Sequence, residues 1–284
     1  MHYFRPLTLD EALARLAAPP RPRVVCGATD VYADAALVPA RSAWVDISGI
    51  DALRGLARDE GRARIGAAVT WEAIAHTSWL PAALRAAAAT VGSRQIRVQG
   101  TLGGNLCHAS PVADGVPPLL ALDAEVELAS ASGARRLPLA DFLQGNRRTA
   151  LRADELLAAV SFALPQAQDR TAFVKCTNRE GSALAVVSAA VRLRLSHNHA
   201  VEIAAVAVGG ASAVACRMPA LEASLAGLGP DELRAAVEAV PLDALQPIDD
   251  CRAPADHRRH LARLAITRAL EQCMEEAGHG AATA

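Results

Sequence analysis

The amino-terminal sixty residues alternate between short apolar runs and small polar turns. A helix is predicted at residues 9–16, because Thr8 and Glu11 have the spacing of a capping box at its start. The apolar run 24–26 is a predicted strand that leads into small residues, and a second helix is predicted from Val31 to residue 37. Strand, small-residue turn and helix is the arrangement that directs backbone N–H groups toward a phosphate.

The middle of the chain mixes strand and helix patterns around one long polar segment. Residues 95–118 are rich in Gly, Ser, Asn and Pro, and we predict a long loop there. Around it the patterns predict strands at 44–47, 53–58, 62–66, 125–129 and 156–164, and helices at 71–76, 82–89 and 118–122.

The pattern of hydrophobic and polar positions changes near residue 173. Long β-type runs at 186–195 and 201–208 flank a polar turn, and helical patterns follow at 218–226, 231–240 and 256–276. We therefore expect three units, at residues 1–60, 61–172 and 173–284.

The composition of the chain argues against several classes of protein, such as nucleic-acid-binding and membrane-spanning proteins. The 284 residues are 52% hydrophobic with a net charge of −1, which gives no electrostatic reason to expect nucleic acid or an anionic membrane as a partner. No apolar run of membrane-spanning length lacks a charge. The six cysteines show neither CxxC pairs nor metal-ligand spacing, so we expect a reduced, cytoplasmic protein without a metal site of its own.

Two loops of small residues carry the candidate chemistry. The first contains Gly27 and Thr29, and the second runs from Thr101 through Asn105 and on toward Asp114. A nucleotide diphosphate needs backbone that can approach closely, together with N–H and hydroxyl donors. A carboxylate is wrong for phosphate but suits a ribose or ribityl hydroxyl. Either loop alone could be an ordinary turn, and neither has the GxGxxG spacing of a classical dinucleotide fold.

Together the loops resemble those of the flavoprotein subunits of molybdenum hydroxylases, the xanthine dehydrogenase and carbon monoxide dehydrogenase family. Residues 25–30 resemble an AGGTD-type loop, and residues 101–105 and 109–114 resemble TIGGN and ASPxxD segments. Residues 173–179 resemble an FxKxxxR stretch, and residues 250–259 are similar to a DxR…YRR segment. The likeness covers nearly the whole chain.

The resemblance implies an α+β fold with two α/β FAD-binding subdomains of the PCMH type, followed by a C-terminal lobe of small antiparallel sheet plus helices. It implies that the first loop wraps the FAD pyrophosphate, that the second binds phosphate and ribityl, and that further residues hold hydroxyls or lie near the flavin. The implied cofactor-binding residues are Val24, Val25, Cys26, Gly27, Ala28, Thr29, Asp30, Val31, Thr101, Leu102, Gly103, Gly104, Asn105, Ser110, Asp114, Leu157 and Lys175.

Three positions qualify this picture. Ala28 replaces the second glycine of the family loop, and alanine would be strained if the loop needs a positive φ there. His257 stands where the family often has tyrosine. Lys175 is the only lysine in the chain, and a surface residue is the alternative to a place beside the cofactor.

The resemblance also implies a function. The chain would carry FAD, receive electrons from [2Fe–2S] clusters on a small partner subunit and pass them to NAD, oxygen or a quinone. A large partner would hold molybdenum–pterin, in a heterotrimer that can dimerise. No catalytic side chain is predicted. The alternatives are a stand-alone FAD reductase, a nucleotide- or anion-sensing module and a structural interaction protein.

Overall fold

The described part of the amino-terminal lobe is a small parallel sheet with an α-helix beside it. In the computed structural model, which describes residues 2–31 and 43–281 (side chains to residue 275), the sheet has the order β1-β3-β2. The predicted helix at 31–37 lies outside the described residues beyond Val31. The elements are β1 His2–Phe4, α1 Leu9–Ala17, β2 Arg23–Val25 and β3 Ala43–Asp46.

The second lobe is built on an antiparallel sheet of five strands in the order β4-β5-β10-β6-β7, so its central strand comes last in the chain. A two-stranded β8-β9 ribbon lies beside it. The strands are β4 Leu56–Asp59, β5 Arg62–Gly66, β6 Glu125–Ser130, β7 Gly133–Pro138, β8 Leu143–Gly145, β9 Arg148–Thr149 and β10 Leu156–Ala163. The helices are α2 Trp71–His76, α3 Ala82–Thr90, α4 Arg94–Gln99, α5 Leu102–His108, α6 Val116–Ala121 and α7 Leu139–Phe142.

The C-terminal lobe has its own core. Four antiparallel strands in the order β11-β12-β13-β14 pack against three helices, and the long last helix buries Ala262, Ile266 and Ala269 against the sheet. The elements are β11 Asp169–Cys176, β12 Val187–Leu195, β13 Val201–Gly209, β14 Cys216–Arg217, α8 Pro219–Leu225, α9 Leu233–Ala239 and α10 Ala255–Ala281. The mixed α+β architecture, with a C-terminal antiparallel sheet plus helices, is confirmed.

Threonine side chains set the starts of three helices. The hydroxyl oxygens of Thr8, Thr70 and Thr101 each accept the backbone N–H three residues on, which satisfies a donor that the helix itself leaves free. Glu11 completes the first cap by accepting the N–H of Leu7. The helices predicted from two of these caps, α1 and α2, are confirmed.

The long loop predicted at 95–118 is wrong, because the segment contains α4, α5 and the first part of α6. Helix α4 has no buried residue and therefore no apolar period to reveal it. Helix α5 carries two glycines, which disfavour a helix by intrinsic propensity. Its threonine cap and its buried leucines override that preference.

The C-terminal lobe docks on the second lobe through several hydrogen bonds. The Thr171 hydroxyl accepts the N–H of Ala83 at 3.2 Å, and the N–H of Gly210 donates to the Pro111 carbonyl at 2.9 Å. Arg192 pairs with Asp123 at 3.0 Å. The second small-residue loop is therefore held from both lobes.

Among the described residues, no helix is long and apolar enough to cross a membrane. No group of three or more His, Cys, Asp or Glu side chains in residues 2–31 and 43–281 is arranged to hold a metal ion.

Candidate functional site

The two small-residue loops lie against each other. A Cβ built on Gly27 would come within 1.9 Å of the Gln99 carbonyl oxygen, so the first loop touches the backbone that leads into the second. Cys26 of the first loop also lies near Thr101 of the second. Burial is the largest influence on the Cys26 thiol and raises its pKa, and the Thr101 side chain acts to lower the pKa of that thiol. The structure thus brings together two loops that lie about seventy positions apart in the sequence.

Ala28 has a left-handed backbone, with φ 55°. This conformation crowds the Cβ of an L-residue against the backbone, and glycine adopts it freely. The first loop therefore has the shape for which the family's glycine is suited, and alanine keeps it at a cost.

An Ala28→Gly variant is expected to have a free energy of unfolding about 0.5–1 kcal/mol higher, because relief of strain outweighs the greater freedom of glycine in the unfolded chain. Urea denaturation measures the change. Ala57→Gly is the matched control, since Ala57 is exposed in β4 and does not have a positive φ. The control should lose stability, and a similar loss at Ala28 would show that its backbone is unstrained.

The glycines of the second loop serve packing as well as access. Gly103 donates its N–H to the Ala67 carbonyl at 2.8 Å, and an added Cβ there would approach the Ala67 Cβ to 2.7 Å. Gly104 faces the Thr101 hydroxyl, which would lie 3.0 Å from an added Cβ. Helix α5 ends at Ala109 in a left-handed conformation, with φ 48°. Contacts within the protein therefore fix both ends of the second loop without a ligand.

Two buried acceptors in this region have no hydrogen-bond partner among the described residues. They are Oδ1 of Asn105, on α5, and Oδ1 of Asp114, just before α6. A buried polar atom without a partner costs about 1–3 kcal/mol, so these atoms point to a ligand that supplies donors. The hydroxyl groups of a ribityl or ribose chain are donors of this kind. These two acceptors therefore fit the ribityl or ribose hydroxyl groups of FAD.

Asp114 forms a buried ion pair with Lys175. The Lys175 ammonium donates to Oδ2 of Asp114 at 2.6 Å and to the Thr90 carbonyl at 3.1 Å. The two side chains are only 8% and 9% exposed, which excludes the surface alternative for Lys175. Burial raises the pKa of Asp114 to about 6, and the charge and hydrogen bond of Lys175 oppose that rise.

The remaining predicted site residues occupy mixed positions. Ser110 is half-buried, and its hydroxyl accepts the Val112 N–H at 3.4 Å. Leu157 is 3% exposed in β10, within the core on which α5 packs. Val24 and Asp30 are exposed. Their contact with a cofactor stays a prediction.

Sequence reasoning missed the residues that join the loops. Gln99 and Gly100 are not among the implied cofactor-binding residues, yet their backbone forms the contact with Gly27. Gly115 was also missed, although a Cβ there would come within 2.2 Å of the Trp71 ring. Gly100 and Gly115 are visible in the sequence as small residues next to the second loop. The sequence does not show which atom each glycine approaches.

Comparisons with known families cover the chain in two parts. The family described as FAD binding domain in molybdopterin dehydrogenase matches residues 1–166. The family described as CO dehydrogenase flavoprotein C-terminal domain matches residues 172–273.

Relatives and solved structures match most of the chain as a whole. The chain is 31% identical to the xanthine dehydrogenase FAD-binding subunit of Escherichia coli O157:H7, over 97% of both chains. It is 29% identical to the carbon monoxide dehydrogenase medium chain of Afipia carboxidovorans, over 82% of both. In fold it is similar to a chain of carbon monoxide dehydrogenase from Hydrogenophaga pseudoflava, with TM-score 0.90, 25% identity and 97% of each chain covered. A chain of quinoline 2-oxidoreductase from Pseudomonas putida 86 gives a TM-score of 0.88, with 26% identity over 98% of both. This chain therefore belongs to the family of FAD-binding medium subunits of molybdenum hydroxylases, of the xanthine dehydrogenase and carbon monoxide dehydrogenase type.

Proposed function

We propose that this chain is the FAD-carrying electron-transfer subunit of a cytoplasmic molybdenum hydroxylase. It receives electrons from the [2Fe–2S] clusters of a small partner subunit and delivers them to an external acceptor, which is NAD, oxygen or a quinone. A large partner carries the molybdenum–pterin centre, and the three chains form a heterotrimer that can dimerise. The relatives support this assembly, since they are themselves an FAD-binding subunit and a medium chain.

The observation that carries the proposal is that the two loops meet beside buried acceptors that have no partner in the part of the chain that the structure describes. The backbone amides of residues 24–31 would hold the pyrophosphate, and glycine at position 27 lets this loop lie against the Gln99 backbone that leads into the second loop. Residues 101–105 would hold phosphate and ribityl from the other side. Ser110 and Asp114 would hold further hydroxyls, and the free Oδ1 atoms of Asn105 and Asp114 would gain the donors that they lack.

FAD, when bound, supplies the redox chemistry, since its ring system exchanges electrons either singly or in pairs. The residues of this chain then have three tasks, which are to bind the cofactor, to orient it and to exclude water from the buried end of its site. None of these tasks needs a nucleophile or a general acid. This agrees with a site whose polar side chains are hydrogen-bonding groups.

The first test is a visible absorption spectrum of the natively purified protein, with identification of the chains that copurify. We expect flavin bands together with an iron–sulfur chain and a large molybdenum chain. Flavin without partners would support a stand-alone reductase instead. A colourless protein that does not bind added FAD would contradict any flavin function.

A further inference from the structure

The lone lysine connects the C-terminal lobe to the loop that ends at Asp114. Lys175 lies on β11, whereas both of its hydrogen-bond partners, Asp114 and the Thr90 carbonyl, belong to the second lobe. Thr90 is the last residue of α3, and a helix C-terminus favours a cation through its free carbonyls and its dipole. The ammonium is thus held at a fixed point that does not depend on a ligand.

Only one side of Asp114 is satisfied by this arrangement. Oδ2 accepts the Lys175 N–H, while the buried Oδ1 has no partner among the described residues. A carboxylate held by one oxygen presents the other in a defined direction, and an ionised oxygen is a stronger acceptor of a hydroxyl hydrogen bond than a neutral one.

We propose that Lys175 is a positioning residue, which acts on the cofactor through Asp114 by fixing the carboxylate and turning its free oxygen toward a cofactor hydroxyl. The inference rests on the proposed function and deepens it. It differs from the direct contact between Lys175 and FAD that the family resemblance implies. If Lys175 contacted FAD directly, its effect on FAD binding would not depend on Asp114. If Lys175 positions Asp114, its effect on FAD binding requires that carboxylate.

The charge of Lys175 also bears on the ionisation of Asp114. Burial alone would favour the neutral acid, and the ammonium opposes this effect, leaving the pKa of Asp114 at about 6. Among the described residues, Lys175 of β11 is the charged group that acts on this carboxyl, and α3 contributes only the Thr90 carbonyl. With the lysine present, Asp114 is ionised at neutral pH.

A double-mutant cycle on FAD binding tests the inference. The dissociation constant is measured by titrating flavin-free full-length chain with FAD, for the wild type, Lys175→Met, Asp114→Asn and the double variant. Each single change should weaken binding about 10- to 100-fold, and the double variant should be no weaker than the weaker single one. Losses that multiply in the double variant would mean that Lys175 acts independently, which would overturn the inference.

A pH profile gives a readout that a merely structural role would not move. Wild-type affinity for FAD should rise as the pH rises through about 6, because Asp114 becomes the stronger acceptor when it loses its proton. In Lys175→Met this rise should move to higher pH, because the opposing cation is gone. In Asp114→Asn it should disappear. An unmoved profile in Lys175→Met would overturn the inference.

Arg192→Met is the matched control. It removes another ion pair between the lobes, the one from β12 to Asp123 at 3.0 Å, without touching either loop. The FAD affinity of Arg192→Met should equal that of the wild type. A loss as large as that of Lys175→Met would mean that any broken contact between the lobes weakens FAD binding, which would overturn the inference. If the wild type binds no FAD at all, the proposed function itself fails. If it binds FAD and the cycle is additive, only the inference fails.

Discussion

The Gly27→Ala variant is expected to lose its bound flavin and about 1–3 kcal/mol of stability. The added methyl carbon would lie 1.9 Å from the Gln99 carbonyl oxygen and 2.7 Å from the Gln99 carbonyl carbon. Both atoms are backbone, so no side chain can turn aside to make room. The two loops must separate, and a phosphate can then no longer be held from both sides.

Flavin content per chain and thermal unfolding of the flavin-free protein measure the two effects separately. Gly55→Ala is the control, since nothing lies within 4 Å of a Cβ at that position and its backbone does not have a positive φ. The control should keep its flavin and its stability. A Gly27→Ala protein that retains stoichiometric FAD would contradict the assignment of this contact to the cofactor site.

The Arg258→Met variant is expected to lower the free energy of unfolding by about 3–5 kcal/mol. Arg258 is 1% exposed, and its guanidinium donates to the carbonyls of Val186 at 2.9 Å and Gly210 at 2.8 Å. It also pairs with Asp250 at 2.5 Å. Methionine fills much of the volume but leaves buried carbonyls without a donor and Asp250 with one cation fewer.

The effect should extend to the cofactor site, because Gly210 in turn donates its N–H to the Pro111 carbonyl of the second loop. Arg259→Met is the control, since Arg259 pairs with an almost fully exposed Asp256, and exposed changes of this kind stay within about 0.5 kcal/mol. Urea denaturation of the two variants makes the comparison. Equal losses would show that the buried guanidinium contributes no more than a surface one.

Features of the fold that depend only on residues close together in the sequence could be predicted from it. The caps at Thr8 and Thr70 and the two strands β12 and β13 were predicted within a few residues, because hydrophobic period and capping chemistry are local, whereas β11 was not predicted. The two loops were also found, since adjacent small residues mark them. Helices α4 and α5 were missed because α4 buries no residue and so shows no apolar period, and because the two glycines of α5 disfavour a helix by intrinsic propensity.

Contacts between distant residues could not be derived in this way. Nothing in the sequence pairs Lys175 with Asp114, or directs Arg258 to the carbonyl of Gly210. Such contacts depend on how the lobes dock, and docking follows from the shape of many side chains together. The buried acceptor of Asn105 is a further example, because burial becomes visible only in three dimensions.

The order of strands in the second lobe has a consequence for folding during synthesis. Strand β10 lies at the centre of the sheet and joins β5 to β6, yet it leaves the ribosome after both. Until then the β4-β5 hairpin and the β6-β7 hairpin have open edges, which are prone to pair with other chains. We therefore expect this lobe to close late and to rely on chaperones when overproduced. Truncation before Leu156 should give aggregated protein, even though both loops would be present in full.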